Sequence, residues 1–558
     1  MCSLIIRVGR AFRIPGWLTV TLAVCGLVAA ARLISSPRVL AFGPTQRRVE
    51  IFVDAMVGAD TNPGTAGQPV KTVNRAAQIA MHNRGNGTST VVTIRPGTYR
   101  EFVRIISAGP DLGASITFQA SQTGTAILSG SDLWADWQPD PTNSRIYIHP
   151  WQYRWGLCEH PTGAPPIGDL GLRREMLFIN GLPMTQVLSR GEMKEGSFFV
   201  DEARGVASLW PPPGTNIRGA KIDVAVRPGV FESNGVSRLS LKGLVFEHAN
   251  SCHSTKPNAA VVVSGGTNNL VEDSVIRWNN WIGFDYWSAV NSTARRLAAN
   301  WNGELGINGF RLKNATFEGI ETSHNNWRGA QGQFTGWEPS GGKFLRTHGA
   351  TFRGYTAIGN QGRGMWFDTD NIDITIDHAT IEQNLAGGID LEANMGPVII
   401  QNSRICGNRR EGIQNNQTEN VTVTRTAIYD NDKAQIMVAD IQGPRNGTNW
   451  ETKESFSAMP GHWVLSQNII VGADSKQLAY EAVGLSNQAL STFLSTLKSE
   501  GNVWFNSGTP DAFQVDPGSA GHPARIVNFS QWQSITRQDK LSRFGPPDTS
   551  AAPLCAVP

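Results

Sequence analysis

An asparagine recurs at nearly constant intervals through the second half of the chain. The position numbers rise by 24, 24 and 23 over the last four of these asparagines, and by 21 and 25 over the three upstream. Repeats of about 20–50 residues are typical of solenoids, in which each repeat buries its apolar face against the next. This period predicts a stack of similar coils. The positions are Asn279, Asn300, Asn325, Asn360, Asn384, Asn408 and Asn431.

Within the repeats, apolar and polar residues alternate as they do along a β-strand. The pattern runs from Ile372 to Ile376 and returns two coils later, from Val421 to Val423. Period-two alternation predicts strands rather than helices. We therefore expect an all-β, single-stranded parallel β-helix. Inside it, Asn360, Asn384 and Asn408 should stack as a ladder with their amides bonded to the turn backbone.

The composition fits short strands and tight turns. Among the 558 residues, 59 are Gly and only 17% are charged, and Gly tolerates the positive φ that turns require. A net charge of +3, from 49 Lys and Arg against 46 Asp and Glu, gives no reason to expect a nucleic-acid partner. The 17 Trp are suited either to stacking on sugar rings or to an ordinary core.

The N-terminus has the features of an export signal. Three arginines precede an uncharged run from Ile14 to Ala31, which ends in small residues. We expect a signal peptide within residues 1–43, with the mature chain beginning between Ala31 and Gly43. An uncleaved N-terminal anchor is the alternative, because the run is at the lower limit of length for a membrane span. We expect a secreted, cell-surface or periplasmic protein. It should be a monomer, with no membrane association other than the possible N-terminal anchor.

The four cysteines beyond this segment lie far apart in the sequence. Their spacing excludes a local zinc knuckle, and we expect no bound metal of that kind. An exported chain can form one or two long-range disulfides, and three pairings remain open. The cysteines are Cys158, Cys252, Cys406 and Cys555.

Two segments carry a family resemblance. The stretch VDAMVGADTNPGTAGQPVKTVNRAAQIA from Val53, followed by VVTIRPGTYRE from Val91, resembles the N-terminal cap and first coil of pectate-lyase-like right-handed parallel β-helices. The stretch from Met176 to Trp210 is similar to the small β insertion of β-helical glycoside hydrolases that resemble family 141. The resemblance implies a right-handed β-helix with an insertion and a C-terminal capping segment.

These signals divide the chain into five parts. They are residues 1–43, the signal or anchor; 44–149, the cap and first coils; 150–225, the β insertion; 226–445, the main coils; and 446–558, a C-terminal loop, helix and cap.

The repeat also locates a pair of carboxylates. Asp368 lies eight residues after Asn360, and Glu392 lies eight residues after Asn384. The two acids therefore occupy the same place in adjacent coils, on strands about 4.8 Å apart. Retaining glycosidases use two carboxyl groups about 5–5.5 Å apart, one as nucleophile and one as acid/base. We predict that Asp368 and Glu392 are the catalytic residues of such an enzyme.

Side chains that alternate with the pair, or lie in neighbouring coils, are predicted to bind substrate. Trp366 and Asp390 form a second outward pair, and Lys343 comes near Asp368 if the register slips by one residue. A cation there would favour an ionised nucleophile. The full set of expected substrate-binding residues is Trp366, Asp390, Lys343, Asp370, Gln414, Asn416, Trp337 and Asp285.

The segments GMWFDTDN and GIDLEANMGPVIIQN resemble the active-site coils of the β-helical β-xylosidases of family 120. In that family an Asp is the nucleophile and a Glu the acid/base, which implies these roles for Asp368 and Glu392. Thr369 stands where the family usually has an aromatic residue, so the resemblance does not extend to the identity of the sugar.

Other functions fit parts of the same pattern. A polysaccharide lyase would use Lys343, Arg363 or Arg328 as the base on a uronate, with Ca²⁺. A non-catalytic surface or adhesion solenoid needs no site at all. We expect a polysaccharide or oligosaccharide as partner and no cofactor. The alternative is Ca²⁺ held by Asp368, Asp370, Asp390 and Glu392.

Overall fold

The computed structural model describes residues 47–440, 443–518 and 523–548. The predicted signal or anchor and its cleavage site lie outside these residues. No helix in the described ranges is both long and apolar enough to cross a membrane.

The chain winds into a parallel β-helix whose strands each pair in register with the equivalent strand of the next coil. Sheet 1 has 24 strands within the described residues. Its strands are Arg48–Val53, Ser89–Ile94, Gly97–Tyr99, Ile116–Ala120, Ala126–Ser129, Leu239–Lys242, Leu244–Glu247, Leu270–Glu272, Val275–Arg277, Thr293–Asn300, Lys313–Glu321, His348–Arg353, Thr356–Ile358, Ile372–Asp377, Thr380–Glu382, Val398–Gln401, Arg404–Cys406, Val421–Thr424, Ala427–Tyr429, Val464–Ser466, Ile469–Gly472, Lys498–Glu500, Val503–Asn506 and Arg543–Phe544.

Sheet 2, of which 13 strands lie in the described ranges, forms another side of the coils. All its neighbours pair in parallel except the last two strands. The strands are Val103–Ile106, Phe231–Asn234, Ala259–Ser264, Ile282–Trp287, Ile307–Phe310, Ser340–Leu345, Arg363–Asp368, Ile389–Glu392, Ile413–Asn416, Ile436–Ala439, Tyr480–Val483, Asp511–Asp516 and Arg525–Asn528.

Helices are few and lie at the ends or on the outside of the coils. The first one caps the β-helix, and the Thr72 side chain accepts a hydrogen bond from Arg75 N–H at its start. The helices are Val73–Gly85, Asp169–Leu172, Trp327–Gln331, Asn487–Thr496 and Phe529–Thr536, with a 3₁₀ turn at Arg190–Glu192.

The core is a set of apolar columns, one residue per coil. On sheet 2, Met365 and Phe367 are fully buried while Trp366 and Asp368 lie on the other face. Aromatic rings also stack between coils: the Phe344 and Phe367 centroids are 5.4 Å apart. Since side chains alternate across a strand, burying one column fixes which residues face outward.

The predicted asparagine ladder is confirmed for Asn360, Asn384 and Asn408. Each amide nitrogen donates to the next asparagine's carbonyl, at 2.8 Å from Asn360 and 2.9 Å from Asn384. Asn360 also donates to the backbone carbonyl of Thr322 at 2.8 Å. The prediction is wrong further upstream, where the ladder position belongs to Asn302 and not Asn300.

Asn302 Nδ2 donates to Asn325 Oδ1 at 3.1 Å, and Asn302 Oδ1 accepts from Asn279. Asn300 ends its strand and bonds to Glu321 instead. The coils that begin at Asn279 and Asn302 are both 23 residues long, so the true period is more regular than the one predicted.

Glycine follows the ladder asparagine by four residues because the coils meet there. A Cβ added to Gly388 would lie 2.4 Å from the carbonyl oxygen of Gly412, and one added to Gly364 would lie 2.4 Å from Ile381 Cγ2. Both distances are well below van der Waals contact, so the close packing of neighbouring turns requires glycine.

The β insertion begins earlier than predicted. Strands from Ser131 onward leave the coils, so the predicted boundary at residue 150 is wrong, and the coils resume at Phe231. Strand alternation looks the same in a coil and in an antiparallel sheet, which is why the sequence did not separate them. One sheet contains Ser131–Leu133, Leu177–Ile179, Leu182–Pro183 and Ile222–Ala225, and the other Gln138–Asp140, Asn143–Pro150, Thr185–Gln186, Ser197–Asp201 and Val206–Trp210.

A disulfide joins Cys158 of the insertion to Cys252 of the coils, with an S–S distance of 2.08 Å. The two cysteines are 94 residues apart in the sequence. This is one of the pairings that the sequence left open.

The coils extend further toward the C-terminus than residue 445. Strands Val464–Ser466 and Lys498–Glu500 continue sheet 1 in parallel, and Tyr480–Val483 continues sheet 2. An antiparallel hairpin, Arg445–Thr448 with Ser455–Ala458, interrupts the repeat and hides its period. We call this excursion the 445–458 hairpin.

Candidate active site

Asp368 and Glu392 are Cα partners on neighbouring parallel strands of sheet 2, as the repeat predicts. Trp366 and Asp390 are partners two residues earlier, and the next coil places Gln414 and Asn416 beside Asp390 and Glu392. The register of this face is therefore the predicted one. Adjacent strands lie about 4.8 Å apart, which brings the two carboxyl groups close to each other.

Asp368 lies beside a lysine. Its Oδ2 is 3.3 Å from Lys343 Nζ, and its Oδ1 accepts a hydrogen bond from the Thr369 hydroxyl at 2.8 Å. The predicted one-residue slip does not occur, since Lys343 stands opposite Trp366 in the ladder. Its long side chain reaches Asp368 diagonally instead.

Lys343 is held between aromatic rings. Its Nζ lies 4.0 Å from the centroid of Trp366 and 5.8 Å from that of Trp337. It also lies 3.7 Å from Glu338 Oε1, and its side chain is only 7% exposed. Cation–π contact and two carboxylates compensate for the loss of hydration of this ammonium.

Glu392 has a different environment. Burial raises the pKa of this carboxyl to about 7, and the nearby Asp368 and Asp390 carboxylates act in the same direction. Arg445 lies 3.2 Å away and Lys343 is also near, and both act to lower the pKa. A carboxyl with this pKa is partly protonated at neutral pH, as a general acid must be.

Asp390 is closed off from solvent, being 2% exposed. Its Oδ2 accepts a hydrogen bond from Arg363 Nε at 2.6 Å, and its Oδ1 accepts one from Asn416 Nδ2 at 3.2 Å. The Arg363 guanidinium lies 4.3 Å from the Trp366 ring centroid. Asp390 thus holds Arg363 and Asn416 in place, rather than presenting a free carboxylate.

Asp370 does not lie on the open face beside Asp368 and Glu392. The residue is fully buried, its Oδ2 accepts a hydrogen bond from Trp450 N–H at 2.8 Å, and its Oδ1 lies 3.3 Å from His348 Nε2. The prediction that Asp370 binds substrate is wrong because the 445–458 hairpin, which the repeat does not reveal, covers it.

Asp285 and Gln414 extend the row that contains Lys343, Trp366 and Asp390. Asp285 is 4% exposed and accepts a hydrogen bond from Asn308 at 2.8 Å. Burial raises its pKa to about 6, although that hydrogen bond opposes the shift. Gln414 is half-buried between Asp390 and Met437.

Three residues near the pair were not predicted from the sequence. Glu338 and Arg445 lie on segments outside the coil period, and their contacts with Lys343 and Glu392 depend on the path of those segments. Glu304 is fully buried; burial raises its pKa well above the usual range, with the Glu338 carboxylate adding to the effect. Glu304 lies two residues after Asn302, whose place in the ladder the sequence did not reveal.

The 445–458 hairpin borders the face of sheet 2 that carries the acid pair, along the ends of the strands. The 445–458 hairpin contacts successive coils through Arg445 with Glu392, Trp450 with Asp370, and Glu451 with both His348 and Lys313. The hairpin thus runs from the acid pair toward the N-terminal coils.

The four carboxylates proposed for Ca²⁺ do not present a common set of free oxygens, because Asp370 and Asp390 are engaged by protein groups. Among the residues that the structure describes, no three or more His, Cys, Asp or Glu side chains form a cluster suited to a metal ion.

Residues 229–428 match the family described as right handed beta helix region. The solved structure of XylC with xylose is 14% identical, with a TM-score of 0.64 over 89% of this chain and 86% of that chain. The A-module of the Azotobacter vinelandii mannuronan C-5 epimerase AlgE4 is 14% identical, with a TM-score of 0.47 over 79% and 93%. Curated proteins gave no match in sequence. The chain folds as a right-handed parallel β-helix.

Proposed function

We propose that the chain is a carbohydrate-active enzyme, a retaining glycoside hydrolase with Asp368 as nucleophile and Glu392 as acid/base. One observation carries the proposal: the two acids are strand partners in unlike electrostatic surroundings. Asp368 has Lys343 at 3.3 Å, whereas burial raises the pKa of Glu392 to about 7. A double displacement needs one anionic and one protonated carboxyl.

In the first step an Asp368 oxygen bonds to the anomeric carbon while the glycosidic C–O bond breaks. Glu392 gives its proton to the departing oxygen. In the second step Glu392 takes a proton from water, whose oxygen bonds to the anomeric carbon and releases Asp368. Lys343 balances the charge of the Asp368 carboxylate when it leaves.

The fold likeness to XylC, which was solved with xylose bound, supports a sugar as substrate and a pentoside as the first to be tried. The aromatic residues around Lys343 are consistent with a sugar site, since Trp337 and Trp366 both contact the lysine that pairs with Asp368. The lyase alternative fits less well. Its candidate bases Lys343 and Arg363 are each ion-paired, to Asp368 and Asp390 respectively.

The test is a panel of aryl glycosides with Asp368→Asn and Glu392→Gln. Both variants should lose hydrolysis of poor leaving groups by about 10³-fold or more. Glu392→Gln should retain turnover of activated substrates and be rescued by azide, whereas Asp368→Asn should not. Asp377→Asn, on sheet 1, is the matched control.

Full activity in both variants would show that the pair is not catalytic. Products that absorb in the ultraviolet, and whose combined mass equals that of the substrate with no water added, would identify a lyase instead. If NMR shows that the configuration at the anomeric carbon is inverted, the nucleophile is a water molecule and not Asp368.

A further inference from the structure

The row of sheet 2 that contains Asp368 and Glu392 becomes apolar toward the N-terminus. Trp287, Phe310, Leu345 and Asp368 are successive Cα partners in four consecutive coils. Trp287 is 41% exposed, and its ring lies 4.2 Å from that of Phe310, centroid to centroid. The two rings, which we call the Trp287–Phe310 platform, therefore stack on each other in the outward row of Asp368, about 10–14 Å from it and two to three coils away.

Two arginines border this platform. Arg311 and Arg346 directly follow Phe310 and Leu345 in adjacent coils, and Arg311 N–H donates to the carbonyl of Leu345 at 3.0 Å. Their guanidinium carbons lie 5.0 and 5.9 Å from the Phe310 ring centroid. Both side chains are half-buried and contact the same ring.

Neither arginine has an acidic partner in the structure. Within residues 47–440, 443–518 and 523–548, neither guanidinium lies within ion-pair distance of a carboxylate, and Arg311 Nε is buried with no hydrogen-bond partner. Glu451 of the 445–458 hairpin, which contacts the adjoining turns, is already paired with Lys313 and His348. In the part of the chain that the structure describes, the two adjacent guanidinium groups are thus without a carboxylate partner.

We infer that the substrate is an acidic glycan, and that the Trp287–Phe310 platform binds a uronic acid unit whose carboxylate is held by Arg311 and Arg346. Aromatic rings stack on sugar faces, and the planar guanidinium matches a carboxylate in two parallel hydrogen bonds. Binding would also satisfy the buried Arg311 Nε, which costs free energy while unpaired. This inference depends on the proposed function only in taking Asp368 and Glu392 as the place where the glycan is cleaved.

The test measures binding by calorimetry on the Glu392→Gln chain, so that turnover does not interfere. The probes are oligosaccharides of glucuronic, galacturonic and mannuronic acid, each beside its carboxyl-reduced neutral form. At least one acidic probe should bind about 10-fold more tightly than its neutral form, equivalent to about 1.4 kcal/mol. The double substitution Arg311→Gln/Arg346→Gln should remove this preference.

Arg425→Gln is the matched control. Arg425 follows a strand of sheet 1 and has a φ of 49°, close to the 53° and 51° of Arg311 and Arg346, so the backbone cost of substitution is similar. Its loss should leave the preference intact. Arg346→Lys, which keeps the charge but not the planar fork, should retain part of it. Trp287→Ala should weaken the acidic and neutral forms equally.

The inference is overturned if no acidic probe binds better than its reduced form, or if the preference survives the double substitution. A sulfated oligosaccharide that binds more tightly than every uronate would overturn the assignment to a carboxylate. The two proposals fail separately. Hydrolysis without acidic preference contradicts only this inference, and an Arg-dependent preference without hydrolysis contradicts only the proposed function.

Discussion

Lys343 Nζ lies 3.3 Å from Asp368 Oδ2, in the preceding coil and almost closed off from solvent. The same ammonium lies over the Trp366 ring, so its position is fixed from two sides. A buried cation beside one member of a carboxylate pair makes the two acids chemically unequal. The different roles that we propose for the two acids rest on this contact as much as on their own positions.

Replacing Lys343 by Met should lower kcat by about 10²-fold, since the variant lacks the charge that stabilises Asp368 as it departs. It should also move the alkaline limb of the pH–rate profile to higher pH, because Lys343 lowers the pKa of Glu392. Steady-state kinetics across pH measures both. Lys242→Met, at a half-buried ion-paired lysine of sheet 1, is the control. An unchanged limb in Lys343→Met would contradict the proposed coupling.

The pKa of Glu392 also predicts a pH dependence of stability. Its pKa is raised from 4.5 to about 7 in the folded chain. Between pH 4.5 and pH 7 the folded chain therefore keeps a proton on this carboxyl that the unfolded chain has lost. This contribution is present below pH 4.5 and is lost as the pH rises through 7. One pKa unit corresponds to about 1.4 kcal/mol, so the full effect is about 3 kcal/mol.

Glu392→Gln should therefore become more stable relative to the parent chain as the pH rises from 5 to 8. Urea unfolding at a series of pH values measures the difference. Parallel curves for the two chains would show that the raised pKa is not linked to folding.

Removing one rung of the asparagine ladder should destabilise the coils. Asn384 is fully buried; its amide donates to Asn408 and Ala357, and its carbonyl accepts from Asn360. Asn384→Ala leaves buried partners unsatisfied and should lower the free energy of unfolding by about 2–4 kcal/mol. Asn446→Ala, at an exposed position, should cost less than about 0.5 kcal/mol. Equal effects on chemical denaturation would contradict the ladder's role.

His348 should fasten the 445–458 hairpin in a pH-dependent way. Burial lowers its pKa, but the Asp370 and Glu451 carboxylates outweigh burial and leave it raised above 6.5. The stabilisation is therefore complete below pH 6.5 and lost as the pH rises through the folded-state value. The protection factors for amide hydrogen exchange in the hairpin should fall above neutral pH. In His348→Gln they should be low at all pH values. Protection independent of pH in the parent chain would contradict this.

The register of the acid pair was predictable because the period is constant where it matters. From Asn360 to Asn408 each coil has 24 residues, so counting from the ladder locates Asp368 and Glu392 without knowledge of the loops. The preceding coil is longer, with 35 residues from Asn325 to Asn360, and there the count for Lys343 was wrong by one residue.

The partners of the pair were not predictable for a related reason. Arg445 reaches Glu392 from a hairpin that lies more than two coils further along the chain, and Glu338 lies in the extra segment of the long coil. Neither segment repeats, so the coil count says nothing about their positions. The burial of Asp370 by the same hairpin was missed for this reason.

The distance between the two acids is set by the backbone pairing of adjacent strands and not by any side-chain contact between them. The register of strands Arg363–Asp368 and Ile389–Glu392 therefore fixes the separation of the two acids. Loss or gain of a single residue within either strand would turn its acid toward the core, whereas a longer turn, such as the one in the 35-residue coil from Asn325 to Asn360, leaves the pairing intact. A lineage with this architecture is free to lengthen its turns and to duplicate coils, but it must keep the strand register that pairs these two acids.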